Sequence, residues 1–344
     1  MTLITRRYTS GRIALANLWT SIDSLDLRRE RRADFEDLQL LSNLLFLRGD
    51  LLGRIADHDR AERAGKEAMA LASDSGTILY IRARLASRFH LFNEASSLLD
   101  RTLAAGYPAE KVNAERAALF QATGRYQEAL VLREALAERD PGIQTIGAFA
   151  TLLAEMDDWP AAEARYVAAL DADTGVSPIP CGQLLFEWGV SAMRRGDLSR
   201  ADQLFSELEA ILPGHVPGRG HRAEVAVARG QISLALALVR PLLEISDDPE
   251  YRATYAEILA ARCDLEAAAR QVERATAAYE LLVARRPAAY ADHAAEFFMG
   301  IGNRPQLASE LALANWQLRD TPRSRRLLAQ ARKAQQNSLP RGAA

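Results

Sequence analysis

Only two cysteines, Cys181 and Cys263, occur in 344 residues, 82 positions apart. That count excludes a disulfide framework and a cysteine-rich metal site, and a reducing compartment is expected. Charge of one sign is missing too: 43 basic against 45 acidic side chains leave a formal net charge of −2. Such a balance argues against nucleic acid or an anionic membrane surface as the partner. No apolar run reaches the ~18–20 residues that a membrane helix needs, so no membrane span is expected. Arg6 and Arg7 lead into the polar stretch Tyr8, Thr9, Ser10, Gly11 and Arg12 rather than an apolar segment. A secretory or twin-arginine leader is therefore not read there. The Arg/Ser/Thr-rich, acid-free start mimics a mitochondrial transit peptide, but the helical pattern begins almost at once, from Ile13. A cytoplasmic location is the expectation.

Aromatics are scarce at 7%, and runs of Val, Ile and Thr are few. Alanine fills the space instead, with 63 copies, and Arg outnumbers Lys 40 to 3. Strong helix formers without β-branched runs point to an all-α chain. The arginine excess fits the codon bias of a GC-rich genome and carries little functional weight.

Units starting at Ser42, Gly76, Glu110, Ile143, Gly182, Val216, Pro249 and Ala289 are spaced 34, 34, 33, 39, 34, 33 and 40 residues apart. This register places Ala61, Ala95, Ala129, Ala162, Ala201, Ala235, Ala268 and Ala308 at the twentieth position. The eighth position, which did not set the register, holds Gly49, Ala83, Ala117, Ala150, Gly189, Ala223 and Ala256, and fails only at Glu296. Small residues at both places let two antiparallel helices approach closely where they cross. Turns follow at Gly124-Arg125-Tyr126, Asp157-Asp158-Trp159, Gly196-Asp197-Leu198 and Gly230-Gln231-Ile232. Pro141 and Pro213 end second helices. In these features the chain resembles the tetratricopeptide (TPR) repeat family, bacterial type, over roughly residues 42 to 320.

The resemblance implies a right-handed α-solenoid of about eight TPR-like helix pairs with N- and C-terminal capping helices. Residues 1–41 are expected to form the N-terminal helices (Ile13 to Asp26 and Arg31 to Leu41), 42–175 repeats one to four, and 182–320 repeats five to eight. Residues 321–344 should form a capping helix, Pro322 to Gln336, and a frayed basic tail. Between the halves, Val176-Ser177-Pro178-Ile179-Pro180-Cys181 is expected to be a proline-stiffened loop. Pro241 should kink a second helix, and Glu266 to Arg286 reads as one overlong helix. Arg133, Gly65 and Asn315 stand where the family prefers aromatic or small apolar residues, so those units should pack less well.

First helices of TPR units line a concave face. Carried over, that rule proposes a partner-binding groove that includes Met193 and has the aromatic anchors Phe46, Tyr80, Phe186, Tyr290 and Phe297. Arg54, Arg84, Arg88 and Lys111 would sit towards one end, and Glu155, Glu224, Glu250 and Glu257 towards the other. A groove of graded polarity would orient an extended or helical protein segment. The Lys/Asn clamp with which some family members hold a C-terminal carboxylate finds only Asn43 in place.

Enzyme chemistry has little to stand on, and no cofactor or catalytic set is expected. His58 and His90 are expected in exposed inter-helix turns. His215 and His221 share the segment Gly214 to His221, which holds no Asp, Glu or Cys, so no metal site is expected there. Gly218-Arg219-Gly220 is too short for a phosphate-cradling loop. Asp157-Asp158 and Asp247-Asp248 read as turn and cap residues. Seven basic residues from Arg319 to Arg341 against one acid, Asp320, read as a solubilising cap. The sequence thus points to a non-catalytic scaffold or adaptor for a protein or peptide. An accessory or regulatory subunit of an enzyme complex is the alternative, and a cryptic enzyme or small-molecule sensor the third reading.

Overall fold

The computed structural model of the chain describes residues 3–4 and 8–338. Arg6, Arg7 and everything after Ser338, Arg341 included, lie outside the described residues. Stretches rich in alanine and leucine become helices, and Gly, Asp or Pro sites become turns. An opening helix, α1 (Gly11–Arg31), precedes eight pairs. They are α2 (Phe35–Leu52) with α3 (Ile55–Leu71), α4 (Gly76–Arg88) with α5 (Phe92–Ala104), α6 (Ala109–Ala122) with α7 (Tyr126–Arg139), and α8 (Ile143–Glu155) with α9 (Trp159–Asp171). Then come α10 (Pro178–Arg195) with α11 (Leu198–Ile211), and α12 (Val216–Ala228) with a second helix broken into α13 (Ile232–Val239) and α14 (Leu242–Ile245). The last pairs are α15 (Pro249–Ala261) with α16 (Leu265–Arg285) and α17 (Pro287–Met299) with α18 (Pro305–Leu318), before the closing α19 (Pro322–Ser338).

Crossing points fall where the small residues are. All eight twentieth-position alanines are buried, as are the small residues of the eighth position. At Gly49 and Gly189 a Cβ would run into the rings of His58 and Phe205, so each partner's bulk occupies the space that the missing side chain leaves. Asp158, Asp197 and Asp264 accept hydrogen bonds from backbone N–H groups in the first turns of α9, α11 and α16 and start those second helices. The second helix after α12 breaks at Arg240-Pro241, and α16 runs 21 residues without a break, as the sequence pattern implies.

Two expectations need correction. Residues 178–181 are helix, not loop: Pro178 opens α10, where a missing N–H costs nothing, and the Ser177 hydroxyl accepts from Ile179 N at 3.3 Å. Nor does a helix end near Leu41. Asp34 caps α2, accepting from Asp37 N at 2.8 Å, and the helix runs unbroken through Gly49 until Gly53 turns left-handed at φ +59°. The second expected N-terminal helix and the first helix of the first repeat are one element.

The solenoid closes on itself. Ile55 and Ala56, at the start of α3, donate backbone N–H groups to Asp247 at 2.6 and 3.0 Å. Ser246 Oγ bonds the Gly53 carbonyl. Arg286 reaches Asp59 (3.1 Å) and Glu62 (2.7 Å) and lies 3.6 Å over the Phe89 ring. His90, itself left-handed at φ 55°, donates its Nδ1–H to the Ala288 carbonyl, 2.8 Å away. At Gly124, φ +82°, a Cβ would strike the Asp320 carbonyl, so glycine is required for both the turn and the approach. The hydrogen-bonded joints link residues 191 to 227 apart in sequence, so the second lap of the coil lies along the edge of the first.

Candidate functional site

Because the laps touch, the face lined by first helices is an interior rather than an open trough. A chamber of about 900 Å³ occupies it. One wall is built from α6, α8 and α10, through Gln121, Gln144, Thr151, Glu155, Gln183 and Glu187; α7 contributes Tyr126 and Arg133. The other is the turn from α18 into α19, with Arg319, Thr321, Arg323 and Arg326.

Six arginines line this space (Arg133, Arg194, Arg195, Arg319, Arg323 and Arg326) against three carboxylates, Glu155, Asp157 and Glu187. Three of the six are neutralised: Arg194 by Glu155 at 3.7 Å, Arg323 by Glu296 at 3.1 Å, and Arg319 by buried Asp292. Asn315 also accepts from Arg319 Nε at 2.9 Å, so this departure from the repeat pattern orients a wall residue. Arg195 lies over the Trp159 ring at 5.2 Å. Arg133 and Arg326 have no ion-pair partner among the described residues, and Arg133 Nε is buried without a hydrogen bond. Burial presses the Arg133 pKa down, against the charges of Glu115, Glu155 and Glu187, which raise it. A buried N–H donor left unused is costly unless an acceptor arrives. Burial likewise raises the Glu187 carboxyl.

Farther along the interior, α12, α15 and α17 bring together His221, Glu224, Glu250 and His293. His221 Nδ1 is 2.9 Å from Glu224 Oε2, and His293 Nδ1 is 3.3 Å from Glu250 Oε2. Burial raises the Glu250 carboxyl, but the hydrogen bond and charge of His293 outweigh it and hold the group ionised. Asp292 raises His293 up to about 10, with Glu250 adding to the effect against burial.

The expected groove residues are dispersed by this arrangement. Phe46 is buried between His58 (5.5 Å) and Arg84, whose guanidinium lies 4.5 Å over its ring. Tyr290 is buried, and Phe297 stacks on Tyr279 at 4.9 Å inside the C-terminal core. These three rings are covered by the chain's own atoms. Tyr80 stays partly open, stacked on Tyr107 at 4.8 Å, with its hydroxyl donating to Glu115. Arg84 pairs with Glu115 at 3.2 Å, and Arg88 faces Asp50 at 3.8 Å. Lys111 and Glu257 are exposed, Met193 is half-buried, and Phe186 packs against His215 and His221. Closure also brings the cationic and anionic ends of the expected gradient face to face: Arg88 is near enough to Asp248 to lower its carboxyl, although burial and Glu250 drive that group up.

Of the fourteen expected groove residues only Glu155 lines the chamber, beside Gln121, Gln144, Thr151 and Gln183 on the same helical rows. Arg133 was legible only as a packing defect, and Arg319, Arg323 and Arg326 only as a basic end. His58 is not a turn residue, and His90 lies in its turn without being exposed. His58 sits in α3 at 2% exposure, with Nε2 3.0 Å from Asp50, and His90 is half-buried at the joint. The segment after His215 is the start of α12.

No family model matches the chain, and no curated protein matches it either. Solved structures do. A chain of the APC/C hetero-tetramer Cut9–Hcn1 superposes with TM-score 0.53 at 14% identity, covering 86% of this chain and 55% of that one, so the match spans about half of that protein's length. A tetratricopeptide repeat protein from Parabacteroides merdae gives TM-score 0.45 at 18% identity over 71% of this chain and 92% of that one. A human IFIT1 dimer with m7Gppp-AAAA gives 0.45 at 15% identity over 87% and 72%. At such identities the likeness is one of fold, and the fold of this chain is an all-helical, TPR-like solenoid.

Proposed function

We propose that the chain is a non-catalytic scaffold that holds an acidic segment of a partner protein in its interior chamber. The observation that carries this reading is the half-buried Arg133, whose buried Nε has no partner, on a wall where arginines outnumber carboxylates. An Asp- or Glu-bearing segment would supply the acceptor that Arg133 lacks and would pair with Arg326 opposite. Gln121, Gln144 and Gln183 provide amides for a peptide backbone. TPR-like repeats as a fold suit such binding, and the Cut9–Hcn1 structure is itself a protein assembly.

A photo-crosslinking residue placed at Gln144 or Gln183 in the full-length protein tests this in extract of the source cells. Adducts should map to acidic segments of one protein and disappear with Arg133→Glu. The same probe at Leu265, exposed on a second helix, should capture nothing. Equal capture at Leu265, or none at the chamber positions, refutes the reading. A stable stoichiometric complex with an enzyme would place the chain as an accessory subunit.

A further inference from the structure

We infer that His221, Glu224 and Glu250 form a site for a divalent transition-metal ion of the zinc type. His221 and Glu224 are three residues apart on α12 and share one face of that helix. Glu250 comes from the first turn of α15, the first helix of the next unit. One donor atom from each lies within 4.8 Å of the others. Zinc bonds of ~2.0–2.1 Å at tetrahedral angles put ligand atoms roughly 3.4 Å apart. His221 Nδ1 and Glu224 Oε2, now hydrogen-bonded at 2.9 Å, need to open by only about 0.5 Å. Closing the third side needs a movement of about 1–1.5 Å, within the reach of a glutamate side chain. All three residues are half-buried, so their side chains have room for it while the helices stay fixed.

The donor set narrows the ion. One imidazole nitrogen with two carboxylates suits Zn²⁺, Mn²⁺ or Fe²⁺, whereas Ca²⁺ and Mg²⁺ take oxygen ligands. Phe186 stacks on the His221 ring at 5.7 Å and restrains its orientation. His293, 3.3 Å from Glu250, stands where an outer partner of a ligating carboxylate belongs. Three protein ligands leave a fourth position for water or for a group of a bound molecule. The sequence hides this site: the segment Gly214 to His221 has no acid of its own, and the carboxylates arrive one helical turn later and from the next repeat.

The alternative is an ion-pair network that needs no metal, and a titration separates the two. Full-length protein stripped with a chelator is titrated with ZnCl₂ by calorimetry and with CoCl₂ by visible absorption. One ion per chain should bind with micromolar or tighter affinity, and cobalt should develop a ligand-field band. His221→Gln and Glu250→Gln should each weaken binding at least tenfold, while Asp50→Asn, at the separate His58 pair, should leave it unchanged. Variants that bind as wild type, or weak uptake of several ions, overturn the proposal. Should a variant fail to fold by circular dichroism, the unaltered protein still decides: its thermal midpoint should rise with zinc and return with chelator, and an unmoved midpoint refutes the site.

Discussion

Replacing Arg286 with alanine removes one bolt between the two laps of the coil. Its guanidinium, 18% exposed, pairs with Asp59 and Glu62 and covers Phe89 at 3.6 Å. A partly desolvated cation–π contact is worth about 1 kcal/mol, and two partly buried pairs add about 0.5–1 kcal/mol each. The acids are not stranded by the change, because Asp59 keeps Arg285 (2.7 Å) and Glu62 keeps Lys66 (3.0 Å). The expected loss is therefore about 2 kcal/mol rather than the larger cost of orphaned charges. With an unfolding entropy of about 2.1 cal/mol/K per residue, 344 residues turn that loss into a fall in Tm of about 3 °C. Amide hydrogen exchange gives the sharper readout. Protection should drop together at Phe89–Leu91 and at Ala288–Tyr290, two segments that meet at this joint. Arg270→Ala, which breaks an exposed pair within α16, should change neither. Faster exchange near residue 286 with residues 89–91 untouched would refute the coupling of the laps.

Asp57→Asn should cost about 3–5 kcal/mol in urea denaturation, since it strands Arg48, 2% exposed and held by two bonds of 2.7 and 2.8 Å; Arg48→Met with Asp57→Leu should recover much of the loss. His215 is buried and accepts the Gly218 N–H through Nδ1 at 3.0 Å, a bond that its protonated form cannot make. Burial, helped by the charge of His221, brings its pKa down to about 4. A histidine depressed on folding binds fewer protons than the unfolded chain between ~6.5 and that value. Stability is therefore complete above about pH 6.5 and falls as the pH drops towards 4, by about 3 kcal/mol at most. Urea midpoints at pH 7 and 4.5 measure it; His215→Asn keeps the cap and should flatten the slope, and an unchanged slope sinks the assignment. Ala223→Leu, overfilling a crossing, should cost about 1–3 kcal/mol by thermal melting. Gly124→Ala should destabilise as well and move the Asp320 turn, read as faster exchange at residues 319–322.

The repeats were legible because their cause is local. Gly49 meeting His58, or Gly189 meeting Phe205, is a matter of two adjacent helices, and a 34-residue period records it. Closure left no such record. Asp247, Ser246 and Arg286 are ordinary turn residues whose partners lie some 190 positions or more away, and no pattern in the chain joins them. The same blindness extends to the expected anchors: Phe46 and Tyr290 occupy the right helical rows, yet tertiary packing buries their rings. Pro178 and Pro180 misled for a different reason, since proline reads alike in a stiff loop and in the first turn of a helix.

A solenoid whose units touch only their neighbours unfolds from any point and tolerates loss of an end unit. Joints across 191 to 227 residues take this chain out of that class. Its contact order is raised by bonds that no single helix pair can form, and such bonds arise only after the intervening units are in place. The last event of folding is then a rigid-body docking of one lap on the other, and the first event of unfolding is their separation. Truncating the chain before Asp247 removes the acceptor for the start of α3, so damage at one end is felt first at the other.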